Sequence, residues 1–173
     1  DMLNDPNSAF DIYARAVEAD ISNDDSLAQY QRLASMVGRW NDLAALYDKM
    51  LATIAEDPIR FGEIGLRLAR IYEEQIEDFD KAIERYKLVL DRDPENLAAI
   101  GALDRLYEHT ERHRELADIL AREAELAATG DEILQYRFRL GQVRQFRLDD
   151  VQGAIVAYGE VIHEMPEHQP ALQ

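Results

Sequence analysis

The sequence predicts an all-α protein, arranged as an α-solenoid of antiparallel helical hairpins. Turn signals recur every 36 residues, at Pro58, Pro94, Gly130 and Pro166. A fixed period of this size indicates repeats that pack on their neighbours in a stack. Between these signals, apolar residues recur three and four positions apart, as on one face of a helix. No stretch alternates apolar and polar residues as a half-buried strand does, so we expect no sheet.

Two kinds of repeat alternate along the chain. Block 59–94 matches block 131–166 at an offset of 72 residues, which places Tyr86 over Tyr158. Blocks 23–58 and 95–130 match each other at an offset near 73. The sequence thus predicts one repeat array over residues 1–173, with these four blocks as complete repeats.

Each block is predicted to form two helices. Phe79, Ala82, Ile83, Tyr86 and Leu90 form one apolar stripe, for example. Proline or glycine lies at each block boundary, because these residues end one helix and are compatible with the start of the next. The predicted helices span residues 7–21, 25–37, 40–55, 59–75, 79–92, 96–109, 112–128, 131–147 and 150–164.

Both ends of the sequence resemble parts of repeats. Residues 1–22 match the second helix of a repeat whose first helix is missing, and residues 167–173 match the start of a further helix. We therefore expect the chain to be a fragment of a longer array. Such an array exposes an apolar face at each cut end, so homo-oligomerisation through open repeat ends is one expectation.

The net charge of the chain argues against some classes of binding partner. The formal net charge is −16, which argues against binding of nucleic-acid phosphates and against adsorption to anionic membranes. The sequence contains no cysteine, no stretch of a membrane span's length and no visible signal peptide. The compartment stays unknown from these observations, with a soluble, cytoplasmic location slightly favoured.

Catalytic, cofactor and metal sites are not expected. His109 and His113 have a helical metal-ligand spacing but lie at a predicted turn without a third ligand. His163 and His168 are five apart, and Pro166 interrupts the helix between them. There is no glycine-rich phosphate loop and no paired carboxylate dyad. The sequence therefore predicts a protein that is not an enzyme.

The repeat pattern resembles the tetratricopeptide repeat family. One block carries the motif at Leu140-Gly141, Ala154, Tyr158, Val161 and Pro166. Another carries it at Leu68-Ala69, Tyr72, Ala82, Tyr86, Val89 and Pro94. The resemblance covers nearly the whole chain and is similar to the degenerate arrays of large bacterial proteins. It implies a right-handed superhelix whose first helices line a concave groove that binds a protein or peptide.

Four features depart from the family pattern. The spacing is 36 residues rather than 34, and the step from Tyr72 to Ala82 is one residue too long. Asp104 stands where the motif has a small residue. The paired lysine and asparagine with which some family members hold a C-terminal carboxylate are absent.

The segment Ile133–Leu148 is the candidate binding helix, because it contains four arginines and no acidic residue. In the register that the resemblance implies, four side chains of this segment face the groove: Gln135, Phe138, Gln142 and Gln145. Amides can donate to and accept from a peptide backbone, and arginine would favour an acidic partner. The candidate partner-binding residues are Gln135, Phe138, Gln142, Gln145, Arg137 and Arg144, with Arg70 and Arg105 from the equivalent lines of other blocks. The competing interpretation is that the arginines neutralise acids on neighbouring helices.

The sequence thus favours a non-enzymatic module that binds or assembles proteins. The alternatives are self-association and a regulatory repeat domain attached to an enzyme or membrane segment elsewhere in a parent protein.

Overall fold

The computed structural model describes residues 6–20 and 23–164. The described part is all-α and contains no strand, as the sequence predicts. A π-helical turn, Tyr72–Ile76, follows the fourth helix. The helices are α1 (Pro6–Ala19), α2 (Asp24–Val37), α3 (Trp40–Thr53), α4 (Pro58–Ile71), α5 (Phe79–Arg92), α6 (Leu97–His109), α7 (His113–Leu126), α8 (Gly130–Phe146) and α9 (Val151–Glu164). The expectations for Pro166, His168 and residues 167–173 lie outside the described residues.

The chain divides into two compact units, Asp1–Pro94 and Glu95–Gln173. The division falls at the repeat boundary predicted at Pro94. Within each unit, every helix packs against the next one along the chain, so each unit is built of helical hairpins. The apolar stripe read from the sequence on α5 is buried in these contacts.

Side chains at the N-cap positions stabilise the starts of most of these helices. Asn23, Asp57, Asp78 and Asn96 each accept a hydrogen bond from the backbone N–H three residues on. At α8, Thr129 and Glu132 form a reciprocal capping box. These bonds satisfy amides that have no partner within the helix.

The turns within the hairpins share one backbone conformation. Gly38, Glu77, Glu111 and Asp149 all adopt the left-handed conformation, with φ of 72°, 58°, 55° and 55°. Gly38 and Glu111 are 73 residues apart, and Glu77 and Asp149 are 72 apart. These intervals equal the two repeat offsets, so the alternation read from the sequence extends to the backbone conformation.

The extra residue between Tyr72 and Ala82 lengthens the helix end rather than the loop. The prediction placed an α-helix through residue 75, whereas α4 ends at Ile71 and a five-residue π-helical turn follows. Because a π-turn closes its hydrogen bonds one residue later than an α-turn, it absorbs a single insertion.

The core contains Ala82, Ile83, Tyr86 and Leu90 of the predicted α5 stripe, whereas Ile155, the equivalent of Ile83, is exposed on α9. Ala82 and Ala154 are both buried, as is Tyr86, and Tyr158 is half-buried. Small residues allow the closest approaches. A Cβ added at Gly141 would collide with the ring of Tyr158, so this close approach requires glycine.

We expect Glu77→Gly to stabilise the chain. Glycine adopts the left-handed conformation without a Cβ penalty, and the change removes an anion from a helix C-terminus. The free energy of unfolding should rise by about 0.5–1 kcal/mol, measured as a higher urea midpoint. Glu74→Gly is the matched control: it lies within the π-helical turn and should cost about 1 kcal/mol. A lower midpoint for Glu77→Gly would contradict this account.

Candidate protein-binding surface

The candidate surface lies in the second unit, where α8 packs against α7 and α9. Gln135, Gln142 and Gln145 are exposed along α8, and Phe138 is half-buried. Gln135 and Gln142 are seven residues apart, so they lie on the same side of the helix. We call the row of Gln135, Phe138, Gln142 and Gln145 the glutamine row.

Two members of the glutamine row contact α9. The rings of Phe138 and Tyr158 lie 5.7 Å apart between centroids. The Tyr158 hydroxyl donates a hydrogen bond of 3.0 Å to Oε1 of Gln145. The equivalent Tyr86 hydroxyl donates to Oε2 of Glu73 at 2.7 Å. Phe138 and Gln145 therefore help to hold the α8–α9 hairpin, which leaves Gln135 and Gln142 as the freer members of the row.

Arg137 and Arg144 lie on another side of α8. Each is two residues beyond a glutamine of the row, which corresponds to roughly 200° around the helix. Arg137 pairs with Glu160 at 3.2 Å. Arg144 donates to the carbonyl of Gly153 at 3.1 Å and lies 3.9 Å from Asp150. Both arginines line a depression of about 270 Å³ between α7, α8 and α9.

The structure therefore separates the predicted arginines from the predicted glutamines. The pairing of Arg144 with Asp150 is of the kind that the competing interpretation describes. Arg105, on α6, donates to the carbonyl of Gly101 at 3.0 Å. Arg70 lies in the first unit and is exposed on α4.

A second depression, which we call the basic pocket, adjoins Gln142. It measures about 390 Å³. Phe146 is 70% exposed, and the Arg147 side chain makes no ion pair or hydrogen bond with the described residues. The basic pocket is lined by Glu108, Leu116, Arg139, Gln142, Val143, Phe146 and Arg147.

Arg139 forms one wall of the basic pocket and is fixed by two acids of α6. Its guanidinium donates two hydrogen bonds to Asp104, at 2.8 and 2.9 Å, and a third to Glu108 at 3.2 Å. This two-pronged geometry is the strong form of an ion pair. The bond to Asp104 raises the pKa of Arg139 further, so the side chain stays charged.

Sequence and structure comparisons agree on the type of repeat. The tetratricopeptide repeat model matches residues 66–98, which include the π-helical turn and α5. This match covers one repeat of the chain, and the regular helical hairpins of the other blocks are similar to it in fold. A comparison with curated protein sequences gave no match.

Solved tetratricopeptide structures share the fold. A MamA crystal structure is 14% identical with a TM-score of 0.54, and the alignment covers 98% of this chain and 94% of that one. MamA 41-end from Desulfovibrio magneticus RS-1 is 17% identical, with a TM-score of 0.51 and coverages of 95% and 89%. YrrB, a TPR protein with an unusual peptide-binding site, is 14% identical, with a TM-score of 0.52 and coverages of 98% and 83%.

The departure of Asp104 from the tetratricopeptide motif has a structural reason. The motif's small residue lets two helices approach closely, whereas Asp104 uses its carboxylate to receive Arg139 from α8. An ion pair therefore takes the place of a close apolar contact in this repeat.

Glu123 is the functional candidate that sequence reasoning missed. It is 8% exposed, its Oε2 has no hydrogen-bond partner, and it lines a depression of about 230 Å³. Burial, with a smaller contribution from Asp104, raises its pKa to about 7. Glu123 stands 73 residues after the fully buried Met50. An acid at an apolar stripe position was the signal that could have revealed it.

Within residues 6–20 and 23–164, no group of three or more histidine and acidic side chains could hold a metal ion. None of the described helices is long and apolar enough to cross a membrane.

We expect the free energy of unfolding to fall as the pH rises from about 4.5 to about 7. In the unfolded chain Glu123 has a pKa of about 4.3. Because its pKa is raised in the folded state, the folded chain binds the proton more tightly and loses stability when that proton leaves. Glu123→Gln should therefore add about 1–3 kcal/mol at pH above about 8 and little at pH below about 4.

The measurement is urea unfolding of both proteins across this pH range. Glu125→Gln is the matched control, because it removes the same charge from an exposed position of α7. Equal gains for the two variants would attribute the effect to net charge and contradict the role of the buried carboxyl.

Proposed function

We propose that this protein is a non-enzymatic module that binds an extended segment of a partner protein along α8. The tetratricopeptide fold implies a general role in protein–protein interaction or scaffolding. The observation that carries the finer proposal is the basic pocket, where the side chains of Gln142 and Arg147 have no hydrogen-bond or ion-pair partner among the described residues and Phe146 is exposed.

The composition of the basic pocket favours an acidic segment. Arg139 is already paired with Asp104 and Glu108, so Arg147 supplies the remaining positive charge. A planar guanidinium can donate two hydrogen bonds to one carboxylate or phosphate group. Phe146 offers apolar contact area, and the amide of Gln142 can bond to a peptide backbone. The peptide-binding site named for YrrB supports this use of the fold.

Arg137 and Arg144 take a different role in this proposal. Their ion pairs with Glu160 and Asp150 stabilise the α8–α9 hairpin. In this role the two arginines position α8 and do not contact the partner. Arg70 and Arg105 are proposed only as additional partner contacts along the first helices of their own repeats.

We expect the double variant Gln142→Ala, Phe146→Ala and the single variant Arg147→Glu to lose binding. Proteins captured from a cell lysate by the wild type would be identified, and the affinity of each purified partner measured by calorimetry. Each variant should bind an authentic partner at least about tenfold more weakly, because central aromatic and arginine contacts dominate such interfaces. Phe146 is preferred to Phe138 for the test, because Phe138 contacts Tyr158 and its loss would disturb the hairpin.

Arg32→Glu is the matched control for the charge reversal, because Arg32 is exposed on α2 in the first unit. It should leave the affinity unchanged. An affinity that survives the variants of the basic pocket would place the binding surface elsewhere on the chain.

Self-association is the second candidate function, and an exposed apolar stripe on α9 supports it. Val151 and Ile155 are 53% and 58% exposed, four residues apart on one face of the helix. The equivalent of Ile155 in the first unit, Ile83, is only 2% exposed. A second copy of the chain could cover this stripe.

For that reason we expect Ile155→Ser to lower self-association. The weight-average mass, measured by light scattering over a series of concentrations, should rise for the wild type and stay near that of the monomer for the variant. Leu88→Ser, at an apolar residue exposed to 38% on α5, is the control. A wild type that stays monomeric at every concentration would exclude this candidate.

A further inference from the structure

The depression that contains Glu123, which we call the acidic pocket, has the composition of a binding site. It is formed by the start of α6, the end of α7 and the start of α8. Its volume is about 230 Å³. The acidic pocket is lined by Leu97, Ile100, Gly101, Glu123, Leu126, Ala127, Ala128, Glu132 and Tyr136.

Glu123 has no structural partner that would explain its burial. Its Oε2 is shielded from solvent and accepts no hydrogen bond, although the residue is more than nine-tenths buried. Burying a carboxylate in this way destabilises the fold. The matching position of the first unit avoids that cost with Met50. A buried and unpaired carboxylate lowers the stability of the fold. Its position beside an open depression indicates a binding site for a ligand of positive charge.

The other charged groups near Glu123 leave the acidic pocket negative. Arg139 lowers the pKa of Glu123, but its guanidinium is bonded to Asp104 and Glu108. Asp104 acts in the opposite direction and disfavours the ionised form of Glu123. Glu132 adds a second acid, whose Oε2 accepts from the backbone N–H groups of Ala128 and Thr129. The electrostatic complement of this arrangement is a cation.

The remaining walls suit an aliphatic chain. Leu97 is 66% exposed at the rim, and Ile100, Leu126 and Tyr136 supply further apolar surface. A Cβ added at Gly101 would meet nothing within 4 Å, so the α6 side is open. A ligand that fits carries a compact cation on an unbranched apolar chain, which describes lysine.

We propose that the acidic pocket binds a lysine side chain of a partner protein, with the ammonium group at Glu123 and the aliphatic chain against Leu97, Leu126 and Tyr136. The ammonium can donate a hydrogen bond to the Glu123 carboxylate and compensate its charge. Arginine fits less well, because its planar fork is matched to two accessible oxygens and Oε2 of Glu123 is shielded from solvent. This site is separate from the basic pocket and does not depend on the function proposed for it.

The test uses N-acetyl-lysine methylamide as the probe and the whole chain labelled with ¹⁵N and ¹³C. We expect saturable shifts of the backbone amides of Gly101 and Ala128 at neutral pH. The Nε-acetylated probe keeps the chain but loses the charge, and the norleucine analogue has no amine. Both should bind at least about tenfold more weakly than the lysine probe.

Variants then link the binding to the buried carboxylate. Glu123→Gln should weaken the lysine probe by at least about tenfold, whereas Glu125→Gln should not change its affinity. Gly101→Leu should also block binding, because its side chain extends into the acidic pocket. Since Gly101→Leu keeps Glu123, it separates occupancy of the pocket from any effect on the carboxyl itself.

The carboxyl resonance of Glu123 gives an independent measurement. A bound ammonium favours the ionised form, so saturation with the lysine probe should lower the pKa of Glu123 from its value of about 7. Binding should correspondingly be at least about tenfold weaker at about pH 5.5 than at about pH 8.

Three results would overturn the proposal: no saturable shift at the highest soluble probe concentration, equal binding of the norleucine analogue, or full binding to Glu123→Gln. None of them would affect the basic pocket, because the partner affinities there are measured with variants of Gln142, Phe146 and Arg147.

Discussion

The ion pair between Asp104 and Arg139 is the interaction on which the candidate binding surfaces depend. It joins α6 to α8 across 35 residues of sequence, with two hydrogen bonds of 2.8 and 2.9 Å. Arg139 also forms a wall of the basic pocket, and both members of the pair act on the charge of Glu123 in the acidic pocket. One partly buried pair thus fixes the helices that form both pockets and sets the electrostatics of each. Removing either member would leave the other charge partly buried and without its main partner.

The two pockets of the second unit differ in the charge that they leave uncompensated. In the basic pocket Glu108 is paired with Arg139, and Arg147 remains available for an anion. In the acidic pocket Arg139 is already occupied, and Glu123 remains available for a cation. A partner that carries an acidic and a basic group at the matching spacing could use both. The formal net charge of −16 conceals this arrangement, since it averages over surfaces of opposite local sign.

Equivalent positions of the two units show where the chain departs from a purely structural repeat. In the first unit Gln31 accepts a hydrogen bond from the buried Tyr47, and Met50 fills the neighbouring core position. Their counterparts 73 residues later are Asp104, Leu120 and Glu123. The same framework therefore contains neutral contacts in one unit and charged groups in the other. Charge at such positions costs stability unless it is compensated, which is why the functional proposals concern the second unit.

The sequence alone determined the helices and the two alternating repeat offsets, because both follow from local spacing. Apolar residues three and four apart define a buried face, and proline, glycine and capping side chains define the ends. Only the tertiary structure decided the partners of the charged residues. The bonds of Arg139 to Asp104 and the pairing of Arg137 with Glu160 join different helices, and the burial of Glu123 depends on packing around α7. The sequence around an arginine does not show whether its side chain faces solvent or an acidic residue, because the packing of the helices determines its partner.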